Sequence, residues 1–243
     1  MQDFAVLTSN NEICTTSSSC AKEIYQNKNY LLKDGVLITS AYLTSAGDSI
    51  QNYNLPIGFV PVLAVVVNDG KTTGMIHTAR AGLTSLKEAE RFFALGSENW
   101  RNSCFNAIQC AYEFCKRKLI PWTVKDDERF YFLYDPPDLE RKGSSAGIPL
   151  LVAVLSKILN RKPANDICST GRITDTGLMV RVGGLKEKVK AARAFGFTKI
   201  VLPKSMEEDF NKIKEKYRKG ITPIYGTNFE DVFEHFFPPL PPT

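Results

Sequence analysis

Two short segments of the sequence carry residues whose side chains could perform nucleophilic catalysis. Residues 143–147 read Gly-Ser-Ser-Ala-Gly, and residues 183–188 read Gly-Gly-Leu-Lys-Glu-Lys. A serine hydroxyl becomes a nucleophile when a nearby base removes its proton, and a lysine can be that base once burial has lowered its pKa from about 10.4. We therefore consider Ser145 as a candidate nucleophile and Lys186 as its candidate base.

The residues that follow Ser145 predict a buried helix. Positions 148–159 are almost all apolar, too short a run to cross a membrane, and Pro149 is tolerable only in a first turn. We expect the helix to begin near Ser145, so that free backbone N–H groups between Gly143 and Ala146 favour an anion there. The oxyanion of an acyl-transfer intermediate is such an anion.

Ser145 has two other interpretations. Serine is a common helix N-cap, which is a purely structural role. The segment also fits the G-x-S-x-G elbow of α/β-hydrolases, which needs a strand directly before the serine and a histidine later in the chain. Residues 135–142 predict a loop, and of the two histidines, His77 and His235, only His235 follows the serine. A hydrolase that depends on His235 is thus an alternative.

Lys186 lies in the first turn of a helix predicted over residues 185–195. The apolar face of this helix consists of Leu185, Val189, Ala192 and Phe195. Lys186 borders that face, directly after a flexible pair of glycines, whereas Lys188 and Lys190 are expected to be solvated. The alternative is that Lys186 is an ordinary surface lysine.

Residues 169–188, together with residues 143–147, closely resemble the proteolytic domain of Lon proteases. That family has a Thr-Gly pair, then an isoleucine and a threonine, and then Gly-Gly-Leu-Lys-Glu-Lys, with its serine in an upstream Gly-Pro-Ser-Ala-Gly segment. The same elements occur here in the same order. The resemblance is dense over residues 129–204 and thinner over residues 58–128.

The resemblance implies a serine endopeptidase that cleaves protein or peptide substrates through a Ser145–Lys186 dyad. It implies that the Thr170 hydroxyl hydrogen-bonds the lysine and that neither a cofactor nor a metal is needed. The family forms rings, so a homo-oligomer is expected. The neighbours of the serine expected to support the site are Gly143, Ser144 and Ala146.

The sequence departs from the family pattern at four positions. Ser144 replaces a proline, Lys142 replaces a common acid, Arg172 replaces a common glutamate, and Arg181 replaces a proline. Lys142 and Arg172 add positive charge, which would favour a neutral Lys186 if they lie close to it, or would change the substrate preference. A related domain in RadA-type recombination proteins keeps the fold without the serine. The alternative function is therefore a catalytically silent domain used for assembly, although both members of the dyad are present here.

Composition narrows the class of protein and its compartment. The chain has 243 residues, 43% of them apolar, which suits one domain with extensions or two small ones. The net charge of +5 is dispersed, so we expect no nucleic-acid partner. Residues 1–20 lack a leader pattern, and we expect no membrane partner. Six cysteines without a C-x-x-C pair indicate free thiols in a reducing, cytoplasmic compartment, and no zinc site.

No G-x-x-x-x-G-K-[ST] loop occurs in the sequence, so we expect no ATPase module in this chain. Lon proteases carry such a module before the proteolytic domain. We expect either a stand-alone relative or a piece of a larger protein whose ATPase module is separate or missing.

The order of predicted elements indicates an α+β (mixed α/β) fold of the Lon proteolytic-domain type. Strands come first, with a hairpin turn at residues 68–70, and helices then alternate with strands. We expect an N-terminal arm over residues 1–28, the domain over 29–237 and a proline-rich tail over 238–243. Capping boxes predict helices that begin near Ser85, Ser205 and Thr227, and the second of these is expected to end at Gly220.

Overall fold

The structure, a computed structural model, describes residues 55–68, 70–86, 97–135 and 143–239 and the backbone of four strands before them. The strands are β1 Phe4–Leu7, β2 Ile13–Thr16, β3 Tyr30–Lys33, β4 Val36–Thr39, β5 Phe59–Asn68, β6 Lys71–Ser85, β7 Glu128–Asp135, β8 Ile167–Ser169, β9 Arg172–Ile173, β10 Met179–Val180, β11 Lys199–Pro203 and β12 Thr222–Gly226. The helices are α1 Glu98–Arg117, α2 Gly147–Leu159, α3 Leu185–Phe195, α4 Glu207–Asn211, α5 Glu215–Arg218 and α6 Phe233–Phe236. Short 3-10 turns lie at Lys204–Met206 and Phe229–Asp231. This mixture confirms the predicted α+β class.

The long strand β6 organises the larger sheet, whose strand order is β2-β1-β3-β4-β6-β5 with β7 also paired to β6. One edge of β6 pairs with β5 along its first part, and the ladder closes at Asn68 and Lys71. Its other edge pairs first with β4, in parallel, and then with β7, antiparallel. Gly70 has a φ of 73°, which suits a tight hairpin turn, so the predicted hairpin is confirmed.

The second half of the chain adds a small parallel sheet of order β12-β11-β8 and the two-stranded pair β9–β10. Parallel neighbours need a crossover connection, and α3 supplies one between β8 and β11. Thr170 directly follows β8, and its N–H donates to Val201 O of β11 at 3.2 Å. Thr170 is fully buried at this position.

Two apolar clusters lie on opposite faces of the β5–β6 hairpin. Because side chains alternate along a strand, Val62 belongs to one cluster and Leu63 to the other. The first cluster contains α2, α1 and the inward side chains of β7, and α2 is buried almost all round. The second contains α3, β11 and the apolar side chains of α4. Residues on both faces of β5, such as Val62 and Leu63, are therefore buried.

The helix predicted from Ser205 to Gly220 is wrong in its extent. The structure has two short helices, α4 and α5, with a break at residues 212–214. Ile213, within the break, is 7% exposed, and its carbonyl accepts from Arg218 Nε at 3.1 Å. The last capping box also differs, because Asn228 and Asp231 form it.

Two other predicted segments lie wholly or mainly outside the residues that the structure describes. The helix expected after Ser85 falls mainly on residues 87–96, and the end of the tail on residues 240–243, all outside the described part. Within residues 1–28, β1 and β2 pair with each other, and Ala5 of β1 pairs with Leu32 of β3. Among the helices that the structure describes, none combines the length and apolarity needed to cross a bilayer.

Candidate active site

Ser145 stands two residues before α2 and is half-buried. The helix begins at Gly147, slightly later than predicted, and its N-cap is Ala146, which makes no side-chain capping bond. Pro149 falls in the first turn, as expected. The interpretation of Ser145 as a helix cap therefore does not fit the structure, because another residue occupies the capping position.

Pro149 determines how the Ser145 carbonyl is used. In a regular helix, the carbonyl four residues before position 149 would accept the N–H of that residue, but proline has no N–H. The Ser145 carbonyl instead accepts from Gly171 N at 3.0 Å and from Thr170 Oγ1 at 3.4 Å. The Ile148 N–H in turn donates to Gly171 O at 3.1 Å. The proline thus frees the serine backbone to bind the segment after β8.

Helix α1 and strand β9 hold the other sides of the serine segment. Ser103 Oγ of α1 lies 3.4 Å from Ser144 O, and Asn106 Nδ2, one turn later, donates to Ile173 O at 3.2 Å. Gly147 touches the same strand so closely that a Cβ there would lie 2.5 Å from Ile173 N. The backbone around Ser145 is therefore fixed from two directions.

Lys188 is the lysine that enters this site. It is 2% exposed, the lowest value for any charged residue in the described part of the chain. Its Nζ donates to Thr170 Oγ1 at 3.0 Å. Burial lowers the pKa of Lys188 from 10.5 to about 8, because the charged form loses its hydration. Near neutral pH an appreciable fraction of this amine is therefore unprotonated.

Lys186, the predicted base, lies elsewhere. It is exposed, and its Nζ sits 5.8 Å from the ring centroid of Tyr217. The hydrogen bond with the Thr170 hydroxyl that the resemblance implied for Lys186 is donated by Lys188 instead. The expectation that Lys188 is solvated is therefore wrong, and Lys186, the predicted site lysine, lies outside the cluster of Ser145, Thr170 and Lys188.

The helical pattern contained a signal for Lys188. It lies three residues after Leu185 and four before Ala192, inside the apolar face, whereas Lys186 lies at its border. The contacts of α3 with the sheet settle the rotation of the helix. Gly74 of β6 lies directly against Glu187 O, which turns the next residue, Lys188, toward the interior.

The Thr170 hydroxyl connects the two candidate catalytic residues. It accepts from Lys188 Nζ and donates to Ser145 O, so the amine and the serine backbone share one buried group. The carbonyls of Ser144, Ser145 and Ala146 all accept hydrogen bonds, whereas none of the described residues accepts from the N–H of Ser145 or Ala146. Such N–H groups could stabilise an oxyanion.

The remaining site predictions fall outside this cluster. Arg172 is exposed, and Lys142 lies outside the described residues. His235 is exposed at the end of α6, and no hydrogen bond among the described residues joins it to Ser145. His77 is buried in β6 with its ring 4.8 Å from that of Tyr134. The four cysteines with described side chains, Cys104, Cys110, Cys115 and Cys168, are free and buried.

The fold is thus a mixed α/β domain in which a serine segment, a threonine and a buried lysine lie together. The family model described as the Lon protease (S16) C-terminal proteolytic domain matches residues 115–238. The chain belongs to this family.

Relatives from several organisms agree with the family match. The mitochondrial Lon protease homolog of Candida albicans is 38% identical over 133 residues, which is 52% of this chain and 12% of that protein. Lon protease 1 of Bacillus subtilis is 32% identical over 133 residues, covering 53% and 17%. The Lon protease of Clostridium acetobutylicum is 30% identical over 176 residues, covering 68% and 22%. The matched region is thus under a quarter of the length of these relatives.

Proposed function

We propose that this domain is a serine endopeptidase of Lon type, with Ser145 as nucleophile and Lys188 as general base. The observation that carries the proposal is the buried amine of Lys188, which shares the Thr170 hydroxyl with the backbone of Ser145. Burying a charged amine costs free energy, and a lysine with only a structural role would avoid that cost by remaining at the surface. The membership of the chain in the Lon proteolytic-domain family supports the same chemistry.

In the first half of the reaction, the neutral Lys188 amine removes the proton of Ser145 Oγ as the oxygen attacks the peptide carbonyl. The carbonyl π electrons move to oxygen, and backbone N–H groups near Ser145 and Ala146 donate to the resulting oxyanion. The Lys188 ammonium then donates its proton to the leaving amine as the C–N bond breaks. Lys188 is neutral again, and the acyl group remains on Ser145.

In the second half, Lys188 removes a proton from water, which attacks the acyl carbon. Collapse of the second tetrahedral intermediate expels Ser145 Oγ, which takes the proton back from Lys188. Thr170 acts as a positioning residue throughout, since its hydroxyl holds the amine beside the serine segment. No metal takes part in any of these steps.

The family membership extends the proposal to partners and compartment. We propose protein substrates, in line with the name Lon protease that the relatives carry. On the resemblance described in the sequence analysis, we also propose self-association into a ring and cooperation with a separate or missing ATPase module. The free, buried thiols of the described cysteines agree with a reducing intracellular compartment.

The decisive experiment compares the two lysines of α3. Casein hydrolysis without nucleotide is measured for the wild type, Ser145→Ala, Lys188→Ala and Lys186→Ala. We expect losses of about 10³-fold or more for the Ser145 and Lys188 variants, and a change within about twofold for Lys186→Ala. If only Lys186→Ala lost activity, Lys186 would be the general base, as the resemblance implied, and the proposal for Lys188 would be overturned.

A second measurement tests the site even if casein hydrolysis requires an ATPase partner that is absent from the assay. A serine-directed acylating reagent, followed by mass spectrometry of the intact chain, should label Ser145 in the wild type and in Lys186→Ala. Labelling should fail in Lys188→Ala. Failure to label the wild type would favour the silent assembly domain, and activity that disappears in His235→Ala would favour the histidine-dependent hydrolase.

A further inference from the structure

Three lysine side chains surround the ring of Tyr217 on the outer surface of α3 and α5. Their Nζ atoms lie 4.7 Å (Lys190), 5.0 Å (Lys216) and 5.8 Å (Lys186) from the ring centroid. Attraction between a cation and the face of an aromatic ring places ammonium groups at such distances. We call Lys186, Lys190, Lys216 and Tyr217 the basic platform.

The positive field at the platform is strong enough to act on its own tyrosine. A hydrogen bond with Lys216, followed by the charges of Lys216, Lys190 and Lys186, lowers the pKa of the Tyr217 hydroxyl. Arg193 adds a further cation, and its Nη1 donates to Lys216 O, which ties α5 to α3. The lysines of the platform are therefore held near one another by the contact between α3 and α5.

The platform lysines lack the carboxylate partners found elsewhere on the surface. Arg181 pairs with Asp209, Lys199 with Asp166, and Lys204 with Glu207. By contrast, no carboxylate of the described residues forms an ion pair with Lys186, Lys190 or Lys216, although Glu187 and Glu215 are their neighbours in sequence. Like charges held this close repel one another, and the binding of an anionic partner would relieve that repulsion.

The geometry of α3 indicates the size of such a partner. Lys186, Lys190 and Arg193 form a stripe along one side of the helix, while Lys188 occupies the inner side. Seven residues of helix span about 10 Å, the length of about three residues of extended chain. A short run of acidic residues in a partner has the length of this stripe. One of its carboxylates could also reach Lys216, which lies beside the stripe on α5.

We propose that the basic platform binds an acidic segment of a protein partner. Nucleic acids fit it less well, because bases need an open aromatic face for stacking and the Tyr217 ring is already flanked by ammonium groups. The platform is also confined to two adjacent helices and does not form the long basic stripe that follows a phosphate backbone. Carboxylates at the tips of flexible side chains can reach each ammonium separately.

The test measures binding to the full chain by fluorescence anisotropy. The probe is a labelled peptide with four consecutive glutamates, and the matched peptide carries four glutamines. The platform variant combines Lys190→Gln and Lys216→Gln, and the control variant combines Lys116→Gln and Lys125→Gln, which are exposed on other surfaces. Both variants lower the net charge equally, so that any difference between them reports the location of the site.

We expect the glutamate peptide to bind, the glutamine peptide to bind at least about tenfold more weakly, and the affinity to fall as salt rises from about 0.05 to 0.3 M. The platform variant should lose about tenfold in affinity and the control variant less than about twofold. Equal weakening in both variants would overturn the proposal, as would indifference to the glutamates. Tighter binding of a single-stranded oligonucleotide, lost in the platform variant, would overturn the choice of partner. None of these outcomes depends on peptidase activity.

Discussion

The Nζ atom of Lys188 donates to the Thr170 hydroxyl at 3.0 Å in a site where both side chains are almost completely buried. The same hydroxyl donates to the carbonyl of Ser145. One buried oxygen thus holds a lysine of low pKa beside the serine segment.

The activity should increase with pH. Only the neutral amine of Lys188 can act as a base, and its pKa of about 8 leaves about a tenth of it neutral at pH 7. We expect kcat/KM for a fluorogenic peptide to rise nearly tenfold per pH unit below this value and to level off above it. A flat profile between about pH 6 and 9 would argue against a lysine base.

Replacement of Thr170 should separate its positioning role from packing. Thr170→Val keeps the shape but removes the acceptor of Lys188 Nζ, so kcat should fall by about tenfold or more, whereas Thr170→Ser should keep most of it. A hydrogen-bond acceptor favours the ammonium form, so its loss should also shift the alkaline rise of the pH profile of Thr170→Val to lower pH. A merely structural role for Thr170 would lower the yield of folded protein and leave the pH profile in place.

The stability of the domain should also depend on Lys188. Its pKa is lower in the folded state than in the unfolded chain, so the unfolded chain binds more protons between about pH 8 and 10.5, and the free energy of unfolding should rise with pH over this range. The full gain is about 3 kcal/mol. Urea midpoints at several pH values should show this rise in the wild type and a flatter profile in Lys188→Met. An identical slope in both proteins would contradict the burial of the amine.

Gly147 should tolerate no side chain, because a Cβ would meet the backbone N of Ile173 at 2.5 Å. Gly147→Ala must push β9 away from α2, and we expect a loss of about 2 kcal/mol or more in stability together with lower kcat. Gly183→Ala is the matched control, since nothing lies within 4 Å of a Cβ there. Thermal unfolding of the two variants distinguishes the close approach from a general effect of added methyl groups.

The amide of Asn106 should support the site from α1. Asn106→Ala removes the hydrogen bond to Ile173 O and should cost about 1 kcal/mol of stability and lower kcat more than it raises KM. Gln109→Ala, on the same helix, removes only a 3.5 Å contact with Glu113 and serves as control. Equal kinetics in the two variants would show that the Asn106 bond does not position the serine segment.

The sequence by itself was enough to recognise the family, to select Ser145 as the candidate nucleophile and to predict most of the helices and strands. Residues 143–147 and 169–188 carry a local pattern that needs no tertiary information, and the hairpin around Gly70 and the limits of α3 follow from turn chemistry and helical spacing. The break between α4 and α5 was not predictable from periodicity. Met206, Phe210 and Ile213 have the spacing of one helical face, and all three are buried in the second cluster although the helix already ends at Asn211.

Only the tertiary structure decided which lysine lies beside Thr170 and the Ser145 segment. Lys186 and Lys188 differ by two residues, and the family motif contains both. The rotation of α3 decides between them, and it depends on two contacts with the β5–β6 hairpin that are distant in sequence. Gly184 lies so close to Val65 that a Cβ would be 2.5 Å away, and Gly74 lies against the Glu187 carbonyl. A side chain at either glycine would prevent this approach, which holds α3 in the orientation with Lys188 inside beside Thr170 and Lys186 outside beside Tyr217.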